Sequence, residues 1–262
     1  MQAFRAAVAA LAVVLSMSAA AGQTESGFLN REVWVDGTAH RYQVYLPLDY
    51  TPHRAWPVLL CLHGSGERGA DGLLHTEIGF GSALRRHSDR YPLIAVFPQA
   101  PAETRWPGAS ARIALAALDA TLREFHCDRD RVYLTGLSMG GNGAWYLAYR
   151  EPERYAAVLV ACGWVRPNEQ HPTAEPVVPP ADGPAIAALA RKLRHLPVWQ
   201  FHGALDDVIP PADSRELAAA LGSLGAPARY TELPDVGHAC WDAAYGSPEV
   251  AAWLLAQRRA RR

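Results

Sequence analysis

Apolar residues recur along this chain in two periods, and the way the periods alternate predicts its architecture. Near the N-terminus, residues 31–35 and 41–45 alternate apolar and polar positions on either side of Asp36-Gly37. That is the pattern of two strands joined by a tight hairpin turn. Short, nearly continuous apolar runs follow at 58–62, 93–97, 132–135, 157–161, 198–202 and 228–233. Most are separated by stretches whose apolar residues fall three and four apart, at 113–125, 141–149, 185–193, 217–221 and 250–255. Runs without a polar face suit strands covered on both sides, and strands that alternate with helices build parallel sheets. The pattern predicts an α/β fold: a mostly parallel central sheet of about eight strands, opened by an antiparallel hairpin and flanked by helices on both faces.

One stretch, residues 166–184, is rich in proline and has no period. Lying between two predicted strands, it leaves from the C-terminal edge of the sheet, where ligands bind in open α/β folds. It reads as a small lid or pocket wall, or as a surface excursion. The chain has 262 residues, half of them hydrophobic, enough for one substantial core, so 23–262 is expected to form a single domain. Residues 1–22 combine Arg5, an apolar stretch over 6–15 and Ala19-Ala20-Ala21. This reads as a cleaved signal peptide and a secreted or periplasmic protein; the apolar part falls short of the roughly 20 residues of a membrane span, so no stable membrane anchor is expected.

A formal net charge of −1 with scattered basic residues offers no footprint for nucleic acid, and Arg258, Arg259, Arg261 and Arg262 read as a solvated tail. Four cysteines, Cys61, Cys127, Cys162 and Cys240, allow three pairings in an oxidising compartment, and their spacing selects none. Cys61 lies in an apolar run and reads as a small buried hydrophobe. Cys162 and Cys240 both fall near the C-terminal edge of the sheet, which makes a link between them a hypothesis.

The candidate chemistry begins at Gly136-Leu137-Ser138-Met139-Gly140, where an apolar run gives way to a helical stretch. A strand that turns sharply into a helix holds a serine in a strained conformation with its hydroxyl projecting from the sheet edge. Such a serine needs a base within hydrogen-bond reach and an acid to orient that base. Two later loops supply them: Asp206-Asp207 after the run at 198–202, and Asp235-Val236-Gly237-His238 after the last strand.

Five segments in this order carry a resemblance: Leu62-His63-Gly64-Ser65-Gly66-Glu67-Arg68-Gly69; Phe97-Pro98-Gln99-Ala100-Pro101 with Trp106; Leu134-Thr135-Gly136-Leu137-Ser138-Met139-Gly140-Gly141; the segment 202–210; and Gly237-His238 with Trp241-Asp242. The chain resembles the α/β-hydrolase superfamily, and more narrowly the secreted esterases described as predicted peptidases or phospholipase/carboxylesterase, relatives of feruloyl esterase and polyhydroxybutyrate depolymerase domains. The resemblance implies Ser138 as nucleophile, His238 as base and Asp206, four residues after His202, as orienting acid in preference to Asp207, which would support the acid or face solvent. It implies an oxyanion hole from the backbone N–H groups of Met139 and of Ser65, with Gly66 the alternative to Ser65. It implies no cofactor and no metal. Trp106, Trp164 and Trp241 could line an acyl pocket or simply pack.

His63 and His202 read as structural histidines that hydrogen-bond the loops carrying these groups, because nothing around them has zinc-ligand spacing. Glu67 and Arg68 are expected to brace the oxyanion loop as an ion pair. The expected function is a secreted serine hydrolase that cleaves small-molecule or polymer-borne carboxylic esters through an acyl-enzyme. A peptidase or acyltransferase on the same triad, or a binding protein on a hydrolase scaffold, are the alternatives. Natural substrate and oligomeric state are not legible in the residues.

Overall fold

A computed structural model describes residues 25–167 and 175–259; the expected signal peptide and residues 168–174 of the proline-rich stretch lie outside the described residues. The chain opens with the expected hairpin, β1 (Gly27–Val35) and β2 (Thr38–Leu46), paired antiparallel. Its turn residues Asp36 and Gly37 both have positive φ, 50° and 79°, as a turn matched to the twist of its strands requires. In order there follow β3 (Trp56–Leu62), α1 (Phe80–His87), β4 (Ile94–Pro98), α2 (Ala111–Glu124) and β5 (Cys127–Leu137). Then come α3 (Met139–Arg150), β6 (Ala157–Ala161), α4 (Ala185–Leu193), β7 (Val198–Gly203), α5 (Ala212–Ser223), β8 (Ala228–Leu233), α6 (Trp241–Gly246) and α7 (Pro248–Ala256).

The eight strands form one sheet in the order β1-β2-β4-β3-β5-β6-β7-β8. The pairs from β4 through β8 are parallel, while β2 meets β4 antiparallel. Successive side chains of a strand point to opposite faces, and here both faces are covered. Val58, Leu60 and Leu62 of β3 join a core with α2 to α5, whereas Leu59 and Cys61 join a second core with α1, α6 and α7. Each large side chain so buried contributes about 1.5–3 kcal/mol, which is why these runs carry almost no polar residues.

Two helices were not predicted. α1, Phe-Gly-Ser-Ala-Leu-Arg-Arg-His, ends in three basic residues, and α6 has only six residues, so neither shows a full apolar period. α5 extends beyond the predicted 217–221, since its first residues, 212–216, are mostly polar and carry no apolar period. β5 likewise starts at Cys127 through a half-buried charged stretch that carries no apolar run. Since β3 to β8 are parallel, the loops after β3, β5, β6, β7 and β8 all leave the same edge, and the candidate residues lie on them.

Candidate active site

Ser138 stands between the last residue of β5 and the first of α3, with φ 52° and ψ −119°. For a non-glycine residue this costs of the order of 1–3 kcal/mol, which surrounding contacts must offset. Its amide donates to Ala161 O at 2.9 Å, and the amides of Gly141 and Asn142 donate to its carbonyl. The flanking glycines allow the sharp turn. A Cβ on Gly136 would come within 2.0 Å of Gly140 O, and one on Gly140 within 2.0 Å of Leu62 O.

Ser138 Oγ lies 2.9 Å from His238 Nε2, and His238 Nδ1 lies 2.8 Å from Asp206 Oδ2. With the carboxylate ionised, Nδ1–H donates to Asp206, which leaves Nε2 as acceptor for the serine hydroxyl. Asp206 Oδ1 accepts from the amides of Val208 and Ile209 at 3.0 and 2.8 Å. Burial opposes its charge, but hydrogen bonds from His202, His238 and the Ile209 amide outweigh burial and hold the carboxyl well below the usual carboxylate range. Asp207 is exposed.

Behind Asp206 sits His202, fully buried, with Nε2 3.2 Å from Asp206 Oδ2. The same nitrogen lies 2.8 Å from Ile209 O, and Nδ1 lies 2.8 Å from Ser214 Oγ. A carbonyl can only accept, so Nε2 carries the proton and shares it between Ile209 O and the carboxylate, while Nδ1 accepts from Ser214. The structural histidine expected at 202 thus touches the acid itself, and Ser214, which orients it, gave no signal in the sequence.

On the other side of Ser138, Met139 opens α3 and Ser65 opens a short helical turn, Ser65–Glu67. First-turn amides have no acceptor within their own helix, so both N–H groups remain for an outside acceptor. Side chains brace the backbone around them. His63 donates from Nδ1 to Gly64 O at 2.6 Å and accepts from the Ala100 amide at Nε2, 2.9 Å. Burial holds its pKa down to about 3, so the ring stays neutral. Trp106 donates from Nε1 to His63 O at 2.9 Å, and Gln99 joins Glu67 O to the Gly72 amide.

The structure corrects the expected ion pair at the start of this loop. Glu67 and Arg68 form no ion pair: Arg68 donates to Ser65 O and Thr104 O, while the Glu67 carboxyl is buried, pushed up by desolvation, and accepts from the Gly64 amide. Adjacent side chains leave the backbone in different directions, and backbone carbonyls claim the guanidinium. Of the three tryptophans, Trp106 has no exposed surface and Trp164 almost none, so they pack beneath the site. Trp241 alone of the three is partly exposed, its ring edge-on to His238 at 5.5 Å.

Among the described residues one cluster has metal-ligand composition, Cys162, Asp206 and His238, whose ligand atoms lie within 4.8 Å of one another. Both His238 nitrogens are already engaged, so a cation would have to displace the contacts to Ser138 and Asp206. No helix among the described residues is long and apolar enough to cross a membrane.

Comparison with known proteins places these observations in a family. A solved thermostable esterase shares 27% sequence identity, with a TM-score of 0.75 over 88% of this chain and 63% of its own. A ferulic acid esterase, at 19% identity, has the same fold, with a TM-score of 0.68 over 87% of this chain and 99% of its own. An uncharacterized secreted protein of Arthroderma benhamiae is 25% identical over 206 residues, which are 70% of this chain but only 21% of that longer protein. The model of the family described as "Putative esterase" matches residues 37–240, and the chain belongs to that esterase family, on the α/β-hydrolase fold.

Proposed function

We propose that the protein is a secreted serine hydrolase that cleaves carboxylic esters through an acyl-enzyme. The observation that carries this reading is the unbroken line of hydrogen bonds from Ser138 Oγ through His238 to Asp206. Ser138 Oγ attacks the acyl carbon and passes its proton to His238 Nε2, and Asp206 stabilises the imidazolium that forms. The N–H groups of Met139 and Ser65 take the developing oxyanion. The proton then moves from His238 to the leaving alcohol. Water, activated by the same histidine, attacks the acyl-enzyme and releases the free acid.

Membership of an esterase family supports ester over peptide cleavage. Small or aromatic acyl groups suit a site whose partly exposed aromatic neighbour is Trp241. Export is supported by the apolar N-terminal stretch and by the relative described as secreted. The test is intact-mass spectrometry after incubation with a fluorophosphonate, beside turnover of p-nitrophenyl acetate. The expected result is a single adduct on Ser138 and turnover of the ester. Ser138→Ala is expected to lose both, with a fall in kcat of about 10⁴-fold or more; an active Ser138→Ala enzyme would reject the assignment.

A further inference from the structure

Two cysteines meet behind the histidine loop. Cys162 is the first residue after β6 and adopts a left-handed backbone, φ 45°, uncommon for a side chain that is neither glycine nor asparagine. Its amide donates to Phe201 O at the end of β7, 2.9 Å away. The thiol of Cys240, two residues past His238, lies 3.7 Å from that same oxygen. The two thiols are within hydrogen-bond reach of each other, and both residues are fully buried. Neither takes part in the proton relay from Ser138 to Asp206. The other cysteines are engaged elsewhere: Cys61 points to Leu59 O within β3, and Cys127 to Thr121 O where β5 begins.

We propose that Cys162 and Cys240 are a redox-active dithiol that closes to a disulfide, tying the histidine loop to the end of β6. The oxidant is a disulfide carrier of an oxidising compartment, with oxidised glutathione as its laboratory counterpart. One thiolate attacks a carrier sulfur, forming a mixed disulfide and expelling a carrier thiolate. The second cysteine then attacks the bonded cysteine sulfur and expels the other carrier thiolate. Two protons leave the protein thiols, and the carrier is reduced by two electrons. Both sulfurs are buried, and burial pushes the Cys162 thiol up, which disfavours the thiolate. Exchange therefore occurs while the histidine loop is open, chiefly during folding. The distances from Ser138 to Asp206 are already complete with both thiols reduced. Closure is accordingly expected to change stability much more than turnover.

The proposal rests on the export reading only for where the oxidant is met; its chemistry can be tested independently of ester turnover. The reduced full chain is refolded in a mixture of reduced and oxidised glutathione, alkylated without reductant and digested; a second portion is reduced before alkylation. Expected are a cross-linked peptide pair holding Cys162 and Cys240, with Cys61 and Cys127 alkylated. Reduction is expected to lower the thermal midpoint by about 5–15 °C, and the Cys162→Ala/Cys240→Ala variant to match the reduced protein. Turnover of oxidised and reduced protein should agree within about threefold. Free Cys162 and Cys240 after refolding, or a bridge from either to Cys61 or Cys127, would overturn the proposal. A Cys162–Cys240 bridge in a protein that cleaves no ester would support the dithiol while rejecting the hydrolase reading.

Discussion

The two sides of Ser138 are built on different physics. The acid side is made of side chains: Ser214, His202 and Asp206 form a buried line that ends at the partly exposed His238, and each donor meets an acceptor. The proposed oxyanion side is made of backbone: the Met139 amide at the start of α3, and the Ser65 amide on a loop braced by His63, Gln99, Trp106 and Arg68, each bonded to main-chain atoms. A permanent negative charge on Asp206 must be held by several donors at once, because burial alone would neutralise it. The charge expected on the Ser65 side would exist only in a transition state, so its donors must stand in place beforehand without any fixed partner. One side is therefore sensitive to side-chain identity, and the other to backbone shape.

The sharpest test of this contrast lies on the acid side. Asp206→Asn is expected to lower kcat by about 10⁴-fold, because the amide leaves His238 in the wrong tautomer. Asp207→Asn, at the exposed neighbour, should stay within about threefold. Steady-state kinetics on one ester decides it, and the reverse ranking would move the acid by one residue.

On the oxyanion side the matching test removes an N–H and spares the shape. Ser65 opens a helical turn, and Gly64 before it is extended, with ψ −173°. Proline fits both conditions. Ser65→Pro is expected to cost about 10²–10³-fold in kcat, and Ser65→Ala little, since only the backbone donor is used. Equal effects of the two substitutions would show that the side chain matters or that the donor lies elsewhere.

A smaller effect is expected at His202, a positioning residue acting through Asp206. His202→Leu should lower kcat about tenfold with KM unchanged, and cost about 1–3 kcal/mol of stability by leaving Ile209 O and Ser214 without their partner. Partial recovery by His202→Gln would separate the hydrogen bond from the packing.

A last effect, which leaves turnover aside, is expected in the pH dependence of stability. Burial holds His63 at about 3 and His75 at about 4, below the ordinary histidine value. Below about pH 6.5 only the unfolded chain takes up protons at these rings, so stability falls as pH drops, by at most about 1.4 kcal/mol per pH unit for each. Asp206 acts in the same direction lower down. Its folded value lies below the unfolded one, so the stability it contributes above about pH 4 is lost as pH falls through the folded value. Thermal midpoints measured from pH 7 to pH 5 should decrease, and decrease less steeply in His75→Phe.

Much of this molecule is legible in residue order. The hairpin around Asp36-Gly37, the six later strands and the helices α2, α3, α4, α5 and α7 follow from local periods, because a strand or helix must present apolar residues at its own repeat to be buried. Glycines at 136 and 140 announce a turn in which two backbones nearly touch. Short or strongly charged elements, α1 and α6, escape such a reading, since their helicity comes from packing onto the sheet and not from a full apolar face.

Other features depend on which strand ends become neighbours. That His202 shares a proton with Asp206, that Trp106 is wholly buried under the loop after β3, that Arg68 prefers two carbonyls to Glu67, and that Cys162 meets Cys240 are all products of the order β4-β3-β5-β6-β7-β8. Residue types and their spacing record what each segment can do by itself. Contacts between segments far apart in the chain are decided by the sheet, because only the folded core brings their ends within hydrogen-bond range.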